Sequence, residues 1–143
     1  MAITNTGNAR YEGLGKSGKG WVSTGSGGLD QPYGFGTRFA DQPGTNPEEL
    51  IAAAHASCFT MALAFQLAGA GHEDGTLETV ATVTLDKDGD GYAITRSALK
   101  LTGRVPGLEQ ARFEELAQKA KEGCPVSKLL KAEITLETQF EAG

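Results

Sequence analysis

The stretch TNPEELIAAAHASCFTMALAF (residues 45–65) decides the fold. Asn46 suits an N-cap, Pro47 suits the first helical position because its missing N–H would have no intrahelical partner, and Glu49 stands three residues after the cap, where a capping box closes. An apolar run follows, and glycines cluster at GAGHEDG (residues 69–75), where the helix should stop. The pattern predicts one long helix with Cys58 inside it. His55, Ser57, Thr60, Gln66 and the two leading glutamates favour a helix buried in protein over one that spans a membrane. Cys58 is then either a small core hydrophobe or the reason the helix exists, and the local pattern leaves both open.

Working outward, the first forty residues are glycine-rich, with short extended pieces at NARYEG, KGWVST and YGFGTRFA, which read as small antiparallel strands. After the helix, ETVATVTLDKDGDGYAITRSALKLTGRV alternates in Val, Thr and Ile around a glycine turn and predicts a long β-hairpin. In PGLEQARFEELAQKAKEG, Leu108, Ala111, Phe113, Leu116 and Ala120 recur at roughly helical spacing up to Gly123. CPVSKLLKA suggests a short helical turn, and EITLETQF a last strand. No repeat or linker divides the chain. The expectation is an α+β fold over residues 1–143 as one domain, with antiparallel sheets packed on a long central helix.

With 143 residues and a formal charge of −5, the chain can bury a genuine core and is a poor match for nucleic acid or an anionic membrane surface. Its start, MAITNTGNARYEGLG, lacks the basic-then-apolar pattern of a secretory signal, so a cytoplasmic location is expected. In a reducing compartment, Cys58 and Cys124 are better suited to a transient redox bond than to a structural disulfide.

Three motifs tempt and fail. GLGKSG (residues 13–18) matches a phosphate-binding glycine pattern, but a strand-like WVST follows where such loops need a helix. DKDGDG (residues 86–91) opens like a calcium loop, yet its twelfth position is Ser97 rather than a bidentate glutamate, and both flanks read as strands. His55 and Cys58 lie one helical turn apart, a spacing open to a metal pair, to a base with its nucleophile, or to a core histidine with a hydrogen bond. No metal or cofactor is called for.

PYGFGTRF, GTNPEELIAAAHASCFTMAL and KAKEGCPVSKLLKAEITL together resemble the family of osmotically inducible protein C and the organic hydroperoxide resistance proteins, most closely its first branch. The resemblance runs from YEG to the final strand. It implies a cysteine-based peroxidase acting on organic hydroperoxides and built as an intertwined homodimer. It also implies an external dithiol reductant, notably a lipoyl-bearing protein. In those terms Cys58 is the peroxidatic cysteine, Cys124 the resolving one, and Arg38 and Glu49 attend the reactive thiol. The alternatives from the residues alone are a cysteine hydrolase or acyl transferase using His55, and a non-enzymatic stress-related binding protein.

The chemistry puts demands on these residues. A free thiol of pKa ~8.5 is about 3% ionised at pH 7, so full ionisation removes only about 2 kcal/mol of barrier. Arg38 is therefore expected to align the peroxide and stabilise the departing alkoxide as well. Glu49 lies nine residues before Cys58, about 13.5 Å along one helix and roughly on its opposite face, which points to a partner subunit as the source of the carboxylate on Arg38. Phe35, Phe39, Phe59 and Met61 are candidate walls for an apolar substrate tail, Met61 being one turn from Cys58.

Overall fold

The glycine-punctuated start of the chain forms a three-stranded antiparallel meander of β1 (Gly7–Glu12), β2 (Lys19–Thr24) and β3 (Asp30–Tyr33). The computed structural model describes residues 1–143. The sequence reads as one unit, while the contacts group it into two, Met1–Leu50 and Ile51–Gly143.

In the first unit Gly20 lies in register between Tyr11 on β1 and Tyr33 on β3. The two rings meet edge to face at 6.0 Å, and a Cβ on Gly20 would run into both. A single turn, Gly15–Ser17, separates β1 from β2, so the glycine motif at residues 13–18 leads into a strand and presents no helix to a phosphate. YGFGTRFA, expected as a strand, instead forms β3's last residue and a short helix, α1 (Phe35–Phe39). The Thr37 hydroxyl accepts the Gly34 N–H at 2.9 Å, and Phe35 and Phe39, one turn apart, pack at 5.0 Å; both interactions favour a helical turn over extension.

The long helix α2 (Pro47–Gly69) starts where the cap pattern places it, with the Glu49 N–H donating to Asn46 Oδ1 at 2.8 Å. By length and composition it is apolar enough to cross a membrane, with a mean hydropathy of 1.6, and 22% of its apolar window is buried. In the second unit, four side chains spaced by four, His55, Phe59, Leu63 and Leu67, form its buried row. The sheet beneath is β4 (Thr76–Asp88), β5 (Gly91–Arg104) and β6 (Glu133–Glu141), with β5 in the middle. Ser97, Leu99 and Leu101 alternate on the buried face of β5, and the leucines join Phe59, Leu63 and Leu67 in one core cluster. Residues 86–91 close the β4–β5 hairpin between Asp88 and Gly91, as the polar-turn reading requires.

The expectation of purely antiparallel sheets fails at β6, which runs parallel to β5, from Arg96 opposite Glu133 to Arg104 opposite Glu141. A parallel pair needs a long crossover, and residues 105–132 supply one with α3 (Gln110–Gly123) and α4 (Pro125–Leu129). On α3 the buried residues are Phe113, Leu116, Ala117 and Ala120; Ala111 faces solvent and Ala117 takes its place in the core. Phe113 stacks on Phe140 of β6 at 4.5 Å.

Gly103 of β5 lies under the Phe113 ring, and a methyl group there would overlap it. Because that ring is rigid and itself stacked, Gly103→Ala should destabilise the protein by about 1–3 kcal/mol. Urea unfolding checks this: an unchanged midpoint would show that the ring can shift at no cost.

Candidate active site

Two pairs of side chains bring together chemistry-bearing groups, one in each unit. In the first, the Arg38 Nε and Nη2 groups each donate to one oxygen of Glu48, both at 2.8 Å. This forked geometry fixes the guanidinium plane as well as its position. Glu48 is nearly buried, and a carboxylate removed from water needs such a partner. The guanidinium also lies 5.5 Å from the Phe39 ring centre.

Within the chain the carboxylate on Arg38 is Glu48, the residue before the expected Glu49. Glu49 serves the helix start: its N–H goes to Asn46, and its Oε1 accepts the Thr45 hydroxyl at 2.8 Å. The sequence held two acids in one helical turn, and only their burial separates the cap residue from the arginine partner.

A cavity of about 380 Å³ opens beside this pair, lined by Tyr11, Lys16, Tyr33, Phe35, Arg38 and Phe39 among others. Two of the four expected pocket residues, Phe35 and Phe39, line it. Phe59 is fully buried in the core of the second unit, and Met61 stands 62% exposed on the outward face of α2.

In the second unit the two cysteines meet. Both are free thiols; Cys124 is fully buried and Cys58 half-buried against the same core cluster. Cys58 comes from the side of the buried row of α2, three residues after His55, and Cys124 precedes Pro125, the first residue of α4. Their side chains hydrogen-bond to each other. Burial pushes the Cys58 thiol up, and the hydrogen bond and charge of Cys124 push it further, against a smaller opposing effect of the Val126 N–H. Burial also raises Cys124, but the hydrogen bond from Cys58, the N–H groups of Ser127 and Val126 and the Ser127 hydroxyl outweigh it and hold that thiol below its ordinary range. The two thiols therefore ionise as a coupled pair.

His55, wholly buried, does not pair with Cys58. Its Nδ1 meets the Ser97 hydroxyl at 2.6 Å and its Nε2 the Ser127 hydroxyl at 2.9 Å. The two ring nitrogens are thereby occupied, and the base-and-nucleophile arrangement a hydrolase needs has no contact behind it. Ser97 and Ser127 escaped the sequence reading. The available signal was Ser97 standing two residues before Leu99 on what reads as an inward row, where a hydroxyl requires a partner. No group of three or more His, Cys, Asp or Glu side chains is arranged to hold a metal ion.

Against known proteins, the family model for OsmC-like proteins matches residues 40–139. The chain is 54% identical to the peroxiredoxin OsmC of Escherichia coli strain K12, over 99% of this chain and 100% of that protein. It is 30% identical to the organic hydroperoxide resistance protein OhrB of Bacillus subtilis strain 168, over 70% of this chain and 72% of the relative. The crystal structure of B. subtilis OhrB superposes with a TM-score of 0.70 at 29% identity, covering 97% of this chain and 98% of that one. An OsmC-like protein from Mycoplasma pneumoniae shares the fold with a TM-score of 0.77 at 13% identity, covering 99% of each chain.

Burial lowers the pKa of His55 below 6.5, so below that pH the unfolded chain binds a proton that the folded chain refuses. Stability should therefore fall as pH drops from 6.5 toward 5.5, with this residue contributing at most about 1.4 kcal/mol per pH unit. Urea titrations across that window should show a flatter slope in His55→Gln than in the wild type; equal slopes would mean that His55 is protonated in the fold.

Proposed function

The chain belongs to the OsmC family and is a cysteine-based peroxidase, and we propose that it reduces organic hydroperoxides through Cys58, with Cys124 as the resolving thiol. The observation that carries this reading is the pairing of the chain's two cysteines, one half-open and one sealed. A peroxide can reach only a sulfur with some access to solvent, which assigns the first step to Cys58.

The protons balance as follows. The Cys58 thiol loses its proton to solvent, and the Cys58 thiolate attacks the terminal peroxide oxygen. The S–O bond forms as the O–O bond breaks, and the alkoxide leaves and takes a proton from solvent to become the alcohol. Cys58 is then a sulfenic acid. The Cys124 sulfur attacks it, the S–O bond breaks, and hydroxide leaves and takes up the Cys124 proton as water. A disulfide remains. An external dithiol returns both sulfurs to thiols, and a lipoyl-bearing protein fits that role.

Arg38 is assigned to the alkoxide. Its charge is permanent, and its plane is fixed by Glu48 before substrate arrives, as electrostatic preorganisation requires. The aromatic cavity beside it has the apolar character that suits the tail of an organic hydroperoxide.

A homodimer is part of the same proposal. The face of α2 opposite its buried row carries Ser57, Met61, Ala64, Phe65 and Ala68, all exposed, with Phe65 at 73%. A helix apolar on both sides calls for burial on both. A second copy of the chain is the occupant proposed here.

Three measurements test the proposal. Cys58→Ser should abolish turnover of tert-butyl hydroperoxide, while Cys124→Ser should be oxidised once and form no bridge within the chain; full activity in Cys58→Ser would refute the assignment. Glu48→Gln should lower kcat/KM by about 10- to 100-fold through misplacement of Arg38, whereas Glu49→Gln should stay within about twofold. The reverse order would restore Glu49 to the site. Sedimentation equilibrium should give a dimer for the wild type and a monomer for Phe65→Glu, and a wild-type monomer would remove the homodimer.

A further inference from the structure

The proposed mechanism uses Cys58, Cys124, Arg38 and Glu48, and leaves the buried histidine without a task. His55 sits at the end of an apolar helix row with no exposure at all, and both of its nitrogens are engaged by serines from other elements. Ser97 belongs to the buried row of β5 beside Leu99 and Leu101. Ser127 belongs to α4, three residues after Cys124, and its hydroxyl reaches the Cys124 sulfur. The contacts therefore form one chain: Ser97, His55, Ser127, Cys124, Cys58.

We propose that His55 is a positioning residue for the disulfide-forming step, holding the Ser127 hydroxyl on the Cys124 sulfur. The inference rests on the peroxidase reading given above and assigns part of its second half. A serine hydroxyl has one proton to donate and can turn it toward either neighbour. With Nε2 carrying the imidazole hydrogen, the ring donates to Ser127 Oγ, which frees the Ser127 proton for the sulfur. Nδ1 then accepts from the Ser97 hydroxyl, and every member of the chain is satisfied in one direction. No buried side-chain nitrogen or oxygen lacks a partner in this structure, as that chain requires.

The consequence is chemical. Cys124 is sealed from water, so negative charge on its sulfur has to be stabilised by protein donors. The groups that face it are the Cys58 thiol from α2, the Val126 and Ser127 N–H groups, and the Ser127 hydroxyl. Of these, the hydroxyl alone depends on a third residue for its direction. Losing it weakens the sulfur that must attack the Cys58 sulfenic acid, while the peroxide-facing sulfur keeps its own surroundings.

The test separates the two steps in a single turnover of the full-length reduced protein with one equivalent of tert-butyl hydroperoxide. Peroxide loss is followed against time, and disulfide formation by acid quench and peptide mass spectrometry. Ser127→Ala and His55→Gln should each slow disulfide formation by about tenfold, the scale of a lost hydrogen bond to a charged group, and change peroxide loss by less than about twofold. Excess peroxide should then convert more Cys58 to sulfinic acid than in the wild type. Ser127→Thr, which keeps the hydroxyl, should restore the second step.

Disulfide formation at the wild-type rate in folded Ser127→Ala would overturn the inference. So would an equal slowing of both steps, which marks a merely structural serine and histidine. A wild-type protein that consumes peroxide but never bridges its cysteines would instead defeat the resolving role of Cys124, and the role of His55 with it.

Discussion

The second unit depends on the meeting of two rows with different periods. On α2 the row repeats every four residues, His55, Phe59, Leu63, Leu67; on β5 it repeats every two, Ser97, Leu99, Leu101. Each row is apolar except at one end, and the two polar ends face each other as the His55–Ser97 hydrogen bond. A buried imidazole and a buried hydroxyl are costly apart and satisfied together, so the contact fixes which end of the helix lies over which end of the strand. With that fixed, Cys58 falls at the flank of the core and not within it.

The crossover from β5 to β6 then supplies what the sulfur needs. It delivers Cys124 into the core cluster at the start of α4, and Ser127 a turn later onto the second nitrogen of His55. One histidine thus ties three elements, α2, β5 and α4, around the cysteine pair. The two sulfurs differ in access and in hydrogen-bond donors: one is half-open and faces a single N–H, while the other is sealed but faces two N–H groups and a hydroxyl. The proposed division of labour between attacking and resolving sulfur rests on that asymmetry.

Much of this was legible in the sequence because it is written locally. Asn46, Pro47 and the glycines after residue 68 bound the long helix, and alternation around DKDGDG marks the hairpin, because caps and turns are properties of a few adjacent residues. The cysteine pair was legible through the resemblance alone, since a separation from residue 58 to residue 124 says nothing about proximity. Three features were not legible. The direction of β6 depends on where a crossover returns, and α1 depends on packing between Phe35 and Phe39 in a glycine-rich stretch that reads as extended. The third, the choice between Glu48 and Glu49 as partner of Arg38, depends on which of two adjacent carboxylates turns away from water. Adjacent helical residues differ by about 100° in direction, so a displacement of one position changes the role completely.

The central claim is that the two cysteines act as one redox unit. Reduced protein, freed of reductant and given one equivalent of tert-butyl hydroperoxide without oxygen, should yield one alcohol per chain, with both thiols lost together and a single bridge from Cys58 to Cys124 in the peptide map. Alcohol released while both thiols remain titratable, or bridges that join Cys58 only to other chains, would contradict it.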